Sequence, residues 1–276
     1  LNEIENLNDS FRTFFHSLLN PLREILSRGT ILVSTKDRGE LVSTVDSCLE
    51  EWIFSFLKMH FSQYPIVSEE RAHTWPPRAE DFWIVDPLDG TANLLMGLTT
   101  FGVMITLVKQ NQPIFACFFL PAQEGLTRDG IYVAGKGCKA WQWRRTEWVR
   151  TSVSHNADIE SSLMLSEGPT EKLLASALIH NATQRARRNR KIACSAWSFT
   201  RIAAASILPY GADFLITAEN KPWDNLPGCL LVEEAGGRVT DFKGRPWSLE
   251  NYSDLVFSNG LLHEQILTLA KEVESA

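Results

Sequence analysis

The 276-residue sequence lacks the features that mark several classes of protein. It has no CxxC pair among its five cysteines, and an odd count without paired spacing is typical of neither a disulfide framework nor a zinc site. No apolar run approaches the ~20 residues that a membrane-spanning helix requires. Without a signal peptide or a membrane segment, the sequence predicts a cytoplasmic protein with reduced thiols and no membrane partner.

Basic residues are also too few for a typical nucleic-acid-binding domain. The chain has 27 Lys and Arg against 33 Asp and Glu, a formal net charge of −6. A domain that binds nucleic acid usually carries a basic surplus, so nucleic acid is not an expected partner. The one basic cluster is interpreted as a solvated loop or a dimer edge, with an acidic partner left open. It consists of Arg185, Arg187, Arg188, Arg190 and Lys191.

Hydrophobic periodicity predicts helices that alternate with short strands along the chain. An amphipathic helix is predicted over 4–26, where Pro21 should kink or split it, and a second over 46–62 with Ser47 and Glu50 as its capping box. Further helices are predicted at 170–181, 197–208 and 223–235. Strands are predicted at 82–85, 101–109, 114–120, 213–216 and 254–257, with a hairpin near 124–134.

This alternation predicts a layered α/β architecture. A change of character near 145–158 suggests an N-terminal α+β half, 1–145, and a C-terminal α/β half, 146–276. We expect the two halves to form one compact unit, because no linker or low-complexity tract separates them.

The most informative segment follows the buried strand that ends at Val85. Two carboxylates, Asp86 and Asp89, flank a proline and are followed by Gly90 and Thr91 at a predicted helix start. Crowded carboxylates repel one another unless a cation compensates, and Mg²⁺ commonly binds a few carboxylates together with a substrate phosphate. Unpaired N–H groups at the helix start suit a phosphate. The segment therefore indicates a metal and phosphate site.

Other acids stand in similar settings at strand ends and helix starts. They are Asp46, the pair Glu69-Glu70, and Asp224, which follows Trp223 and precedes the stretch from Glu234 to Gly237. Taken singly, each is more typical of a solvated acid or an N-cap. Spacing alone does not show that these acids converge.

Taken together, these motifs resemble the inositol monophosphatase family, part of the lithium-sensitive, magnesium-dependent phosphatase superfamily. The motif DPxDGTxN spans Asp86 to Asn93, the Glu-Glu motif is Glu69-Glu70, and the WD and EAGG motifs begin at Trp223 and Glu234. The resemblance runs from about residue 35 to the end. It implies a five-layer αβαβα sandwich, usually a homodimer, that hydrolyses a small phosphorylated metabolite with two or three Mg²⁺ ions.

The resemblance also implies a role for individual residues. Glu69, Asp86, the carbonyl of Leu88, Asp89 and Asp224 are the implied metal ligands. Asp46 and Thr91, with Glu69, are the implied catalytic residues that orient and help to deprotonate water. The N–H groups of Gly90 and Thr91 are the implied phosphate contacts. For Glu70 the resemblance implies either a contact behind Glu69 or a ligand role for a weaker third ion.

The substrate pocket departs from the family pattern. Thr217 stands where family members that act on inositol phosphates carry a Glu, with Glu219 two residues later, and Trp197 replaces a small residue. Asp89, Trp197, Thr217 and Glu219 are therefore the candidate substrate-binding residues. Alternative substrates are histidinol phosphate, fructose 1,6-bisphosphate or a 3′-phosphoadenosine nucleotide. A different class of function is a regulatory binding protein on the same fold.

Overall fold

A computed structural model describes residues 2–27, 31–35, 41–71, 75–121 and 130–271. The part of the predicted hairpin at 124–129 lies outside these residues. The helices are α1 Asn2–Ser27, α2 Thr44–His60, α3 Thr91–Leu95, α4 Thr170–Ala175, α5 Ala177–Arg185, α6 Ser195–Ala203, α7 Pro222–Glu234 and α8 His263–Lys271.

Three helix predictions need correction. Pro21 does not split α1, which runs unbroken through it. The predicted capping box of Ser47 and Glu50 is wrong, because α2 begins at Thr44 and Ser43 is its N-cap. The predicted helix over 170–181 is two helices, since Ser176 leaves the helical conformation and accepts a hydrogen bond from Ile179 N–H at 3.3 Å.

A seven-stranded sheet occupies the first half of the chain, with strand order β3-β4-β5-β6-β7-β8-β9. β3 and β4 are parallel, and each later pair is antiparallel. Its strands are β3 Ile66–Ser68, β4 Phe82–Asp89, β5 Gly102–Lys109, β6 Gln112–Phe119, β7 Ile131–Gly135, β8 Lys139–Arg144 and β9 Glu147–Arg150; a separate hairpin joins β1 Val33–Thr35 and β2 Leu41–Ser43.

A five-stranded sheet follows, with strand order β11-β10-β12-β14-β13. β10 is parallel to both β11 and β12, whereas β14 is antiparallel to β12 and β13. Its strands are β10 Leu163–Glu167, β11 Arg188–Arg190, β12 Phe214–Thr217, β13 Arg238–Asp241 and β14 Leu255–Ser258.

Side-chain alternation along the strands shows how the layers stack. Ile105 of β5 packs with α1 and α2 on the outer face of the first sheet, whereas Met104 packs with α6 and α7 on the inner face. In the second sheet, Leu215 of β12 joins that same inner core, whereas Ile216 packs with α4, α5 and α8. The order is helix, sheet, helix, sheet, helix, which confirms the five-layer αβαβα prediction.

Candidate active site

Two of the predicted acids lie where parallel strands end at one edge of the first sheet. β3 and β4 are parallel, and their last pair is Ser68 with Val85. The residue after Ser68 and the residue after Val85 therefore lie side by side. Glu69 begins a 3₁₀ turn directly after β3, and Asp86 follows Val85 in β4. The parallel register therefore places these two carboxylates next to each other.

A third acid reaches the same place from the other half of the chain. Asp224 is the third residue of α7, where its Oδ2 accepts the N–H of Lys221 at 3.0 Å. One carboxylate oxygen each from Glu69, Asp86 and Asp224 lies within 4.8 Å of the others. The structure thus brings together three of the acids that the sequence singled out as metal ligands.

Asp86 is the most deeply buried member of this cluster. Its Oδ1 accepts the N–H of Leu88 at 3.0 Å, whereas its Oδ2 is buried and has no hydrogen-bond partner among the described residues. Burial first, and then the negative charges of Glu69, Asp89 and Asp224, raise the pKa of Asp86 well above its usual range. A buried carboxylate among other acids is unstable in its charged form unless a positive charge, such as a metal ion, lies beside it.

Asp89 is the last residue of β4 and is held by the start of α6. The pairing of β4 with β5 is irregular between Asp86, which pairs with Met104, and Asp89, which pairs with Gly102. The Oδ2 atom of Asp89 accepts the N–H of Ala196 at 2.6 Å and contacts the Cys194 thiol at 3.1 Å. Burial, together with the nearby acids Glu167 and Glu69, raises the pKa of Asp89 to about 7 despite these hydrogen bonds.

Gly90 makes the tight turn between β4 and α3 possible. Its φ of +84° lies in the left-handed region that disfavours side chains. A Cβ at this position would lie 2.9 Å from the Thr100 carbonyl oxygen and 3.2 Å from the Cys194 Cβ. The glycine of the DGT motif therefore allows both the turn and the close approach of the segment before α6.

Asp46 and Thr91 form a contact across 45 residues of sequence. The Thr91 hydroxyl lies 3.0 Å from both Asp46 Oδ1 and the Leu88 carbonyl oxygen. The other carboxylate oxygen of Asp46 accepts the N–H and the hydroxyl of Ser43, at 2.8 and 2.6 Å. The capping box of α2 thereby fixes Asp46 beside the acid cluster, with one oxygen turned to Thr91.

A pocket of about 260 Å³ opens beside these acids. Two of the predicted metal ligands, Asp89 and Asp224, lie in its wall. Two lysines and one glutamate from neighbouring loops, Lys191, Lys221 and Glu219, also line it. The pocket therefore joins the acid cluster to a mixed-charge rim of a size that suits a small molecule.

The structure places one of the three altered pocket positions in that wall. Glu219 is exposed and forms an ion pair with Lys172 at 2.8 Å. Thr217 does not line the pocket: it is fully buried, and its hydroxyl accepts Asn225 Nδ2–H at 2.9 Å. Trp197 does not line it either, because its ring packs on the core between the sheets and under the Arg201 guanidinium.

Sequence reasoning missed Glu167, which also lines the pocket. It is the last residue of β10 and is only 3% exposed. Burial raises the pKa of its carboxyl group above its usual range, although Ser198 and backbone N–H groups donate hydrogen bonds to it. Its signal was an acid at the end of the apolar run Leu163–Leu165, the same setting that identified Glu69.

The basic cluster lies at the edge of the second sheet. Arg188 and Arg190 are exposed on β11, which pairs only with β10 among the described strands. Arg185 approaches Glu160 at 3.4 Å, and Lys191 donates hydrogen bonds to the Gly168 carbonyl at 2.9 Å and the Thr170 hydroxyl at 3.0 Å. The cluster lies at an exposed edge of this sheet, and its Lys191 end reaches the pocket.

The fold and the acid cluster of Glu69, Asp86 and Asp224 define a layered α/β protein with a candidate cation site at the edge of its first sheet. The chain belongs to the inositol monophosphatase family, whose model matches residues 19–275. This is a family of phosphatases, which are hydrolases that act on phosphate esters. All five cysteines are free, and no helix of the described residues is long and apolar enough to cross a membrane.

Individual relatives give the same picture. A fructose-1,6-bisphosphatase/inositol-1-monophosphatase of Thermotoga maritima is 28% identical over 85% of this chain and 84% of its own length. A Nus factor SuhB of Xylella fastidiosa is 32% identical over 81% of this chain and 77% of its own. The solved structure of a Thermotoga maritima IMPase superposes with a TM-score of 0.80 and 25% identity, covering 100% of this chain and 99% of the other.

Proposed function

We propose that this chain is a Mg²⁺-dependent phosphomonoesterase that hydrolyses a small phosphorylated alcohol similar to an inositol monophosphate. The observation that carries the proposal is the convergence of Glu69, Asp86 and Asp224 beside the pocket. These three come from separate parts of the sequence, and a fold built only for stability has no reason to crowd them together.

The donor set fits a hard divalent cation. Carboxylate oxygens are the ligands that Mg²⁺ takes in proteins, usually alongside substrate phosphate. The unpartnered Asp86 Oδ2 and the mutual repulsion of the acids are both relieved by a bound cation. Glu69, Asp86 and the Leu88 carbonyl would hold one ion, and Asp86, Asp89 and Asp224 would hold a second, with Asp86 shared between them. We expect two or three ions in all.

The protein's own groups would position the attacking water and the phosphate. A Mg²⁺ ion in this cluster would offset the phosphate charge and lower the pKa of a water molecule. Thr91 and Asp46, whose side chains lie 3.0 Å apart, would accept a proton from the attacking water, and Glu69 would orient that water. The N–H groups of Gly90 and Thr91 lie where helix α3 begins, have no acceptor within that helix, and would bind phosphate oxygens.

A phosphate-release assay over a panel of phosphorylated metabolites tests this function. The panel contains inositol monophosphate, fructose 1,6-bisphosphate, histidinol phosphate and a 3′-phosphoadenosine nucleotide, each with Mg²⁺, with EDTA and with added Li⁺. We expect Mg²⁺-dependent release that EDTA abolishes and Li⁺ lowers. Absence of release from every substrate would rule out the enzymatic proposal.

Asp86→Asn is the matching variant, and Asp81→Asn, just before the start of the same strand, is its control. Asp81 lies before the other end of β4, where its carboxylate accepts Gln110 N–H at 2.9 Å. Loss of a ligand should lower turnover by about 100-fold or more, since even outer partners of a metal site contribute 10- to 100-fold. Asp81→Asn should leave turnover unchanged, whereas near-normal turnover of Asp86→Asn would refute the metal-site assignment.

A regulatory binding role is the second candidate function. The exposed arginines of β11 and the similarity to a protein named Nus factor SuhB favour it. Reversing charge at Arg187 and Arg188 separates the two functions. A binding role predicts that the variant no longer retains its partner while turnover is unchanged.

A cytoplasmic location and a homodimer stay predictions. Sedimentation velocity measures the oligomeric state.

A further inference from the structure

We infer that Glu167 is a positioning residue of the metal site and that it acts through the segment 192–198, which holds Asp89. The inference rests on the proposed function, because it concerns how one of the proposed metal ligands is oriented. Glu167 itself does not belong to the cluster of Glu69, Asp86 and Asp224.

Three donors from one short segment hold the Glu167 carboxylate. Oε1 accepts the Ser198 hydroxyl at 2.6 Å and the Ile192 N–H at 3.3 Å, and the carboxylate also accepts the N–H of Cys194. A carboxylate only 3% exposed is costly to bury without such partners. All of these donors lie in the seven residues that lead into and begin α6.

The same segment also holds Asp89. Ala196 N–H donates to Asp89 Oδ2 at 2.6 Å, and the Cys194 thiol lies 3.1 Å from the same oxygen. Glu167 comes from the second sheet and Asp89 from the first, so the two carboxylates fix one segment between the sheets. Fixing Oδ2 also fixes the direction of Oδ1, the oxygen left for a cation.

Side chains, and not regular secondary structure, hold the residues before α6. Ala193 has a φ of +55°, in the left-handed region that costs free energy for any residue with a Cβ. The Asn93 side-chain amide donates to the carbonyls of Ile192 and Ala193 at 2.9 and 3.2 Å. Since the segment is strained and side chains fix it, loss of Glu167 should let it shift and carry Asp89 with it.

Isothermal titration calorimetry of the full chain with Mg²⁺ tests the inference. Glu167→Gln, which changes the hydrogen-bonding pattern while keeping the shape, should weaken Mg²⁺ binding about 10-fold, the size expected for a group that orients a ligand. Ser198→Ala removes the shortest contact without changing the charge and should shift affinity in the same direction. Glu171→Gln removes an equal charge from an exposed position on α4 and should leave affinity unchanged.

A double-mutant cycle separates positioning from simple charge attraction. If Glu167 acts through Asp89, then adding Glu167→Gln to Asp89→Asn should weaken Mg²⁺ binding no further. An additive loss would overturn the inference and indicate a long-range effect of charge. The inference would also be overturned if Glu167→Gln and Ser198→Ala lowered the thermal midpoint in EDTA but left the Mg²⁺ affinity unchanged. Glu167 would then have only a structural role.

Failure of the inference and failure of the proposed function give different results. Unchanged Mg²⁺ affinity in Glu167→Gln and Ser198→Ala, in a protein whose wild type releases phosphate, overturns only the positioning role. A wild type that binds no Mg²⁺ overturns both. A 10-fold loss in Glu167→Gln that disappears in the Asp89→Asn background supports the inference whichever substrate the enzyme prefers.

Discussion

At the scale of single residues, His263 shows how hydrogen bonds hold a buried ring neutral. Thr240 donates its hydroxyl proton to the Asp241 carbonyl at 2.9 Å, so it accepts Nε2–H of His263 at 2.8 Å. Ser258 donates to Nδ1 at 2.8 Å and accepts the Gly260 N–H at 3.1 Å. Burial lowers the pKa of His263 to about 4, because a buried imidazolium would lack solvation.

This histidine should make stability depend on pH. Its folded pKa of about 4 lies below the unfolded value of about 6.5. The unfolded chain therefore binds a proton first as pH falls. The stability that neutral His263 contributes is complete above pH 6.5 and is lost between pH 6.5 and 4, at about 1.4 kcal/mol per pH unit.

Urea unfolding of wild type and His263→Gln at pH 7.5 and pH 5.0 measures this effect. The difference in their free energies of unfolding should shrink by about 2 kcal/mol at the lower pH. His60→Gln, at an exposed position, is the control and should keep a nearly constant difference. A difference between wild type and His263→Gln that does not change with pH would contradict the neutral assignment.

At the scale of elements, two acids of the site lie in the first turn of a helix. Asp46 and Asp224 are each the third residue of a helix, α2 and α7, and each accepts the N–H of the residue before its helix. A carboxylate is favoured there, because the helix dipole and the unpaired N–H groups stabilise negative charge. The same contacts that begin these helices therefore fix the direction of two site residues.

Ser43→Ala should show that the N-cap of α2 both stabilises the helix and positions Asp46. The Ser43 hydroxyl donates to Asp46 and accepts the Val45 N–H at 3.1 Å. Its loss should cost about 1 kcal/mol of stability and lower turnover, because Asp46 is then less well fixed. Ser176→Ala is the matched control, since Ser176 is the N-cap of α5 and accepts the Ile179 N–H, with no capping-box acid.

Urea unfolding and phosphate release measured on both serine variants check this prediction. Ser176→Ala should lose similar stability with unchanged turnover. If Ser43→Ala lost stability alone, the Ser43 hydroxyl would have no part in placing Asp46, which would then be held by the backbone N–H at position 43.

At the scale of the whole molecule, the five layers concentrate part of the net charge of −6 in one place. The turn after β3, strand β4 and helix α7 supply the three clustered acids, and α2 supplies Asp46 beside them. Repulsion within this cluster opposes folding unless a cation is bound. The division of the chain at 145/146 stays a prediction; the second sheet begins, along the chain, at Leu163.

Mg²⁺ should therefore stabilise the folded protein as a whole. A ligand that binds only the folded state adds about 2.7 kcal/mol at 100 times its dissociation constant. Thermal unfolding with Mg²⁺ should show a higher midpoint than in EDTA, and Asp86→Asn should lose most of that increase. Potassium chloride at equal ionic strength controls for screening. An equal increase from potassium would argue against a specific cation site.

Local pattern in the sequence determined most of the elements and the core of the site. Asp86 and Glu69 follow apolar strands, Asp46 and Asp224 begin helices, and the Asp-Gly-Thr turn needs a glycine for its left-handed φ. These features depend on periodicity, capping and backbone sterics, which act between residues close in sequence. Of the helix predictions that failed, one concerned the start of α2, and two concerned positions inside a predicted helix, Pro21 and Ser176.

Only the tertiary structure decided which side chains face the pocket. Thr217 turns into the core because Asn225 holds its hydroxyl, and Trp197 packs between the sheets. Glu167 reaches the site because β10 lies beside β12 and its carboxylate meets the segment before α6. Such contacts join residues far apart in sequence, so no periodicity encodes them. The sequence by itself determined the acids and their local settings, and packing of the five layers determined that they meet.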